Sequence, residues 1–282
     1  MKKKVLALLL AAAMAFGALA GCSSNGDNDS NTDSPAPTGS AAVEEHALKI
    51  LPTDYPEENI AAAVQKGNTE LLDKVNAALT EMQDDGTLDA IINYYIMGEG
   101  EAPAYQQDVA ADAPELVMAT SADYPPYEYY ENDQVVGIDA DVARALADKL
   151  GMKLRIDDMD FNSIIAAIQT GKADIALASL TASPDRAESV DFTQVYMVAM
   201  NNIVVPSDSP ITSIEDMRAE GANYTIGVQT STTGDTEATE DFGDEHIVRY
   251  SKTGELIMAL KQGKIDCAIL DDRPAQAFVA AS

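Results

Sequence analysis

Histidine and cysteine are nearly absent from this chain, with two of each among 282 residues. His46 and His246 lie far apart, and neither a Cys/His metal spacing nor a Gly-rich phosphate loop occurs. Histidine-based catalysis has no visible foundation, and no metal or cofactor is expected. Asp157, Asp158 and Asp160 fit a turn after a strand better than a metal site. Basic residues are scarce as well, 18 Lys and Arg against 47 Asp and Glu, for a net charge of −29. Such a surface repels nucleic acid, so that class of partner is excluded. A membrane-spanning helix needs ~20 apolar residues. The apolar run Val5–Ala20 is shorter and follows Lys2, Lys3 and Lys4. It reads as a secretory signal, residues 1–21.

The leader ends in "LAGC", which resembles a bacterial lipobox. That resemblance implies cleavage before Cys22, lipidation of its thiol, and a chain anchored on the extracytoplasmic face of the membrane. Cys267 then remains alone inside the apolar run "IDCAIL", where it should act as a small buried hydrophobe. Residues 22–42 are rich in Ser, Asn, Asp, Pro and Gly and read as a disordered tether.

The first strong element is a helix at "NTELLDKVNAALTEMQDDG". Asn68 or Thr69 can cap it, and Leu71, Leu72, Val75, Leu79 and Met82 recur at helical spacing. A second helix after Thr87 leads into residues 98–115, a stretch poor in apolar residues that reads as a linker. From Leu116 strand and helix alternate, which implies an α/β protein with mainly parallel sheets. Asp139 is placed as the cap of the helix "ADVARALADKL". One internal repeat stands out: "IIAAIQTGKADIALAS" (164–179) aligns without gaps on "LIMALKQGKIDCAILD" (256–271). The chain would then hold two similar lobes. Ser179 and Asp271 would occupy equivalent positions at the C-terminal ends of buried strands. Ligands bind beside such ends, and clefts between lobes are common sites.

Three further segments carry a resemblance: "MATSADYPPYEYYENDQVVGIDADVARALADKLG", "IALASLTASPDRAESVDFT" and "IGVQTSTTGD". They look like the periplasmic polar amino-acid-binding proteins of ABC importers, solute-binding family 3. The resemblance implies a two-lobed, hinge-linked α/β fold of the type II periplasmic-binding-protein class. It implies no enzyme but capture of a free polar amino acid and delivery to an ABC permease. Physically, an amino acid needs a cation for its carboxylate, an anion for its ammonium, and a wall for its side chain. Arg186 matches the residue that clamps the carboxylate bidentately. Ser179 and Thr181 match groups that meet the ligand's main-chain atoms. Asp271 matches the carboxylate that takes the ammonium, and Thr232 and Thr233 the turn that completes the anion site. Tyr124 and Tyr127 match aromatic positions that stack on the ligand side chain. Ser231 departs from the family's usual Gly. Ser121 stands where binders of basic amino acids often carry an acid, which speaks against a cationic ligand. Asp123 and Glu128 could substitute, but a surface placement is expected for both. The same fold also hosts enzymes such as cyclohexadienyl dehydratase, as well as sensory modules. The first would need a catalytic acid and the second a signalling partner.

The order of segments is unusual for that family, whose chains begin with "YPPY"-type sequence and end with the helices that come first here. Joining Ser282 to about Val43 would restore the family order, so the chain reads as circularly permuted, and permutation is physically tolerated where termini lie close together. The expected division is residues 43–56 as a strand of lobe two plus hinge, 57–203 as lobe one, and 204–282 as lobe two. "ALKIL" must return to the lobe-two sheet. A monomer is expected, with domain swapping as the alternative.

Overall fold

The computed structural model describes residues 46–101 and 109–282. The leader, Cys22 and the tether lie outside them. The described chain opens with β1 (Leu48–Leu51), then crosses to β2 (Glu58–Gln65). Helices α1 (Thr69–Asp84) and α2 (Thr87–Met97) follow, then β3 (Glu115–Thr120) and three short strands, β4 (Asp123–Tyr124), β5 (Glu128–Glu131) and β6 (Gln134–Val136). Next come α3 (Ile138–Leu150), β7 (Lys153–Asp158), α4 (Ile164–Gln169), β8 (Ile175–Ala176), α5 (Pro184–Ala187) and β9 (Val190–Ala199). The rest is β10 (Asn201–Pro206), α6 (Ile214–Arg218), β11 (Ile226–Gln229), α7 (Thr233–Phe242), β12 (Ile247–Tyr250), α8 (Thr253–Lys261), β13 (Cys267–Asp271) and α9 (Asp272–Ala280).

Two five-stranded sheets define two lobes. Lobe one has the order β7-β3-β8-β2-β9, and lobe two β1-β10-β13-β11-β12. β3 pairs parallel with β7 and β8, and β11 parallel with β12 and β13, while β2, β9, β10 and β1 run antiparallel. Each sheet is covered on both faces, because its strands read as nearly unbroken apolar runs that need cover on either side. Cys267 is part of the lobe-two core, and burial pushes its thiol up.

α1 is capped by the Asn68 side chain, which accepts from the Leu71 N–H. It turns Val75, Ala78, Leu79 and Met82 inward and packs with α2 on α3 and β9 of lobe one. β1 lies at the edge of the lobe-two sheet against β10, and α9 packs on it. The Leu48 N–H donates to Ser282 Oγ at 3.3 Å. Two segments join the lobes. One runs between Leu51 and Glu58, and the other passes at Met200, between β9 and β10. The second crossing falls ahead of the expected boundary at 203/204, because Asn201 and Asn202 already pair with Asp271 and Leu270.

Two local expectations change. Asp139 does not cap α3: Gly137 holds the N-cap, with φ of 119°, and Asp139 sits fully buried in the first turn. A Cβ at Gly137 would lie 2.3 Å from the Tyr127 carbonyl oxygen, so no larger residue fits there. The meander β4-β5-β6 also went unforeseen. Its β5–β6 hairpin turns at Asn132 and Asp133, both left-handed (φ 50° and 60°), the geometry of a two-residue turn of type I′.

Candidate functional site

The C-terminal ends of β8 and β13 face each other across the gap between the lobes. Ser179, just past β8, donates from Oγ to Asp271 Oδ2 at 2.8 Å, so the two repeat-equivalent residues meet directly. Ser179 holds a left-handed backbone, φ 44°, a conformation that costs a non-glycine residue of order 1 kcal/mol. Asp139 accepts the Ser179 N–H at 2.6 Å and the Tyr196 hydroxyl at 2.7 Å, which supports that conformation from behind. Burial pushes Asp139 up to about 6, although those hydrogen bonds favour its charged form.

The cavity between the lobes is lined by Ser121, Tyr124, Glu128, Phe161, Ser179, Thr181, Arg186, Asn201, Gln229, Thr232, Thr233, Thr253, Leu256 and Asp271, among others. The space between the atoms of its walls is about 460 Å³, counting the open mouth. The lobes are nearly shut on each other. Besides the Ser179–Asp271 bond, the Asp271 N–H donates to Tyr124 Oη at 2.9 Å, and the Gly254 N–H to Asp123 Oδ2 at 3.1 Å. Lys252 reaches from lobe two to the Met159 carbonyl (3.1 Å), Asp158 (3.4 Å) and Ser121 Oγ (3.4 Å).

Arg186 follows the N-cap Ser183 of α5 and stands at the cavity mouth. Its guanidinium donates to the Thr181 carbonyl and, across the gap, to the Ser231 carbonyl, each at 3.0 Å, and lies 5.3 Å over the Phe161 ring. No carboxylate comes within ion-pair distance of it among the described residues. Opposite it begins α7. Thr232 caps that helix by accepting the Asp235 N–H at 3.1 Å, and Thr233 opens its first turn, so amide N–H groups point at the mouth. Ser231 takes up φ 67°, the left-handed geometry a glycine would supply, and is held by donating its N–H to Asp235 at 3.0 Å.

Asp271 is 5 % exposed, and burial together with the nearby charge of Glu58 pushes it up to about 8. Seven of the eight residues expected to touch a ligand line this one cavity: Tyr124, Ser179, Thr181, Arg186, Thr232, Thr233 and Asp271. Tyr127 does not. It is fully buried behind Tyr124, with ring centroids 6.1 Å apart and planes at 19°. Cys22 lies outside the described residues. The sequence reading missed two buried polar groups, Glu58 and Asn201. Glu58 accepts from the Thr181 hydroxyl and from Asn201 Nδ2 (2.8 Å), and Asn201 also donates to Glu237 at 2.9 Å. Glu128, expected at the surface, is only 1 % exposed and lines the cavity. The Asn132–Asp133 turn after it, which folds β6 back onto β5, was the one available signal.

Two lobes nearly shut on a small cavity, with Arg186 of one and Asp271 of the other in its lining, have the architecture of the type II periplasmic class. The family model of the bacterial extracellular solute-binding proteins, family 3, matches residues 11–98 and 116–251, and the chain belongs to that family. The arginine-binding extracellular protein ArtP of Bacillus subtilis (strain 168) is 37% identical over 166 residues, 58% of this chain and 63% of ArtP. The match thus spans under two thirds of that relative's length. Among solved structures, the Gly52Ala mutant of arginine-bound ArgBP from T. maritima matches with a TM-score of 0.56 and 36% identity over 60% of this chain and 78% of its own. The ancestral amino acid-binding protein AncCDT-1, a precursor of cyclohexadienyl dehydratase, matches with 0.54 and 32%, over 59% and 74%. Among the described residues, no helix is long and apolar enough to cross a membrane.

Proposed function

We propose that this protein captures a free polar amino acid between its lobes on the outer face of the cell membrane and delivers it to an ABC permease. The observation that carries this is Arg186. A guanidinium at the cavity mouth, without a carboxylate of its own and beside the first turn of α7, suits a ligand carboxylate. Asp271, in the lining of the same cavity from the other lobe, suits the ammonium of the same molecule. Ser179, Thr181, Thr232 and Thr233 supply hydroxyl and amide groups between the two ends, and Tyr124 walls the side chain. The lobes open about the two crossings and shut on the ligand. Anchoring through a lipid on Cys22 keeps the protein near the permease, and one chain completes the site.

A thermal-shift screen of the twenty amino acids tests this reading. A true ligand stabilises the folded form by ~2.7 kcal/mol at a hundredfold excess over its Kd. Absence of a shift with every one of them defeats it. Turnover of prephenate or arogenate by the purified protein would instead favour a dehydratase on the same fold.

The chain order fits a circular permutation of the family's order. Supporting this, β1 enters the lobe-two sheet beside α9, while α1 and α2 pack on lobe one ahead of the segments that build it. An alignment that follows a single chain order captures one side of such a rearrangement, in keeping with coverage near 60% of this chain. A mature chain that sediments only as a dimer would favour domain swapping.

A further inference from the structure

The two crossings enter each sheet on one side. In lobe one they join β2 and β9, the last two strands of the order β7-β3-β8-β2-β9. In lobe two they join β1 and β10, the first two of β1-β10-β13-β11-β12. Lys252 sits at the opposite side of both. It follows β12, the strand of lobe two farthest from β1, and its ammonium reaches the end of β7, the strand of lobe one farthest from β9. Three strand spacings, about 14 Å, separate β12 from β10 and β7 from β2. There Nζ donates to the Met159 carbonyl at 3.1 Å and to Asp158 Oδ1 and Ser121 Oγ at 3.4 Å, and lies 3.9 Å from Asp160 Oδ1. Two residues on, the Gly254 N–H donates to Asp123 Oδ2 at 3.1 Å. Among the described residues, every partner of the ammonium belongs to lobe one. Asp158 is itself held in place, since its Oδ1 also accepts the Ala122 N–H at 2.9 Å. Lys252, Asp158, Met159 and Asp160 all lie outside the lining of the interlobe cavity.

We propose that Lys252 is a latch that sets how long the cleft keeps its ligand, a positioning residue that touches no ligand and holds the lobes shut at the lip opposite the crossings. This rests on the amino-acid-capture reading above. Opening rotates the lobes about the crossings, so the far lip separates most, and the ammonium must exchange its lobe-one acceptors for water before a ligand leaves. A contact made in the shut state alone favours closure, and it raises affinity by the same factor for every ligand that requires closure. Entry takes place through the open form, so the latch acts on release. The side chains of Lys252 and Asp158 are 29 % and 28 % exposed, which lets added salt weaken their pairing, whereas contacts inside the cavity are screened less.

The test is stopped-flow measurement of kon and koff on the full chain with each of the twenty standard amino acids, in wild type, Lys252→Met, Asp158→Asn and the double variant. Methionine keeps an apolar stem without the charge, and asparagine keeps an oxygen for the Ala122 N–H. Lys252→Met should raise koff about tenfold, the scale of hydrogen bonds to a charged group, and leave kon within about twofold. Asp158→Asn alone should raise koff about threefold, and should add almost nothing once Lys252→Met is present. The factor for Lys252→Met should agree within about threefold across all the amino acids that bind. Raising NaCl from about 0.05 to 0.5 M should speed release severalfold in wild type and less than about twofold in Lys252→Met. Melting of the empty variants near the wild-type temperature checks that they fold, and either single variant carries the test if the other does not. A koff within about twofold of wild type in both single variants, fully additive effects in the double variant, or a change confined to one ligand overturns the latch and leaves amino-acid capture standing. Binding of none of the twenty defeats both.

Discussion

The two ends of the cavity are built on opposite principles. At the mouth a cation stands without an ion-paired anion among the described residues: Arg186 donates there to carbonyl oxygens, Glu58 and Asp271 act on it from a distance, and α7 presents its N-terminus beside it. At the closed end anions stand without a cation: Asp271, Asp139 and Glu128 are buried together, and all three are pushed above the usual carboxylate range. The two imbalances have opposite sign, so a single ligand with a carboxylate at one end and positive charge at the other relieves both. The binding free energy then comes largely from charges the fold has already desolvated, and shape needs only to hold the ligand's ends in register.

The largest expected effect breaks the mouth. Arg186→Ala should weaken amino-acid binding about 1,000-fold, ~4 kcal/mol, by titration calorimetry. Unchanged affinity would mean that Arg186 only bridges the lobes. Next, Asp271→Asn should cost about 100-fold by taking away the ammonium's counter-charge at the closed end.

The same residue sharpens the comparison through pH. Asp271 is pushed up to about 8, so in the empty cleft it is largely protonated at neutral pH, whereas an ammonium partner needs the carboxylate. Affinity should rise by roughly tenfold or more between pH 6 and 8, and that slope should flatten in the Asp271→Asn variant. Glu58 and Asp272 supply the negative charge around Asp271, and Ser179 and Tyr124 its hydrogen bonds.

Stability of the empty protein should run the other way. The folded-state values of Asp139 (about 6), Glu237 (about 7) and Asp271 (about 8) lie above those of unfolded carboxylates. Their contribution is complete below the unfolded value, ~4, and is lost as pH climbs through the folded values. Melting temperature without ligand should therefore fall from pH 5 to 8, and an increase over that range would contradict the burial of these groups as ionisable acids. The smallest effect is Ser179→Ala, which removes one interlobe hydrogen bond and should weaken binding about fivefold, ~1 kcal/mol.

Arg186 at the mouth was legible in the sequence, and so were Ser179 and Asp271, whereas the other buried acids were not. Arg186 and Ser179 stand in a spaced motif on one contiguous stretch, and the repeat put Ser179 and Asp271 at equivalent strand ends before any contact between them was known. Glu128 gave no such sign. In "YEYYEN" polar and aromatic residues are interleaved on a short strand, and the Asn132–Asp133 turn decides which face is buried. Glu58 and Asn201 are buried only because the two interlobe segments pass beneath the cavity. Asp139, one residue inside α3, looks like an ordinary N-terminal acid until Ser179 is brought against it.

By itself, then, the sequence determined the alternation of strands and helices, the two-lobe pattern, and the residues that carry charge to the mouth, because apolar periodicity and local motifs act over a few residues of chain. Only the tertiary structure decided which acids lose their water. Burial depends on what packs over a side chain, and here the covering atoms come from both lobes and from segments more than a hundred residues away. That long-range cover makes Glu128 and Asp271 poor company for each other and good company for a cation.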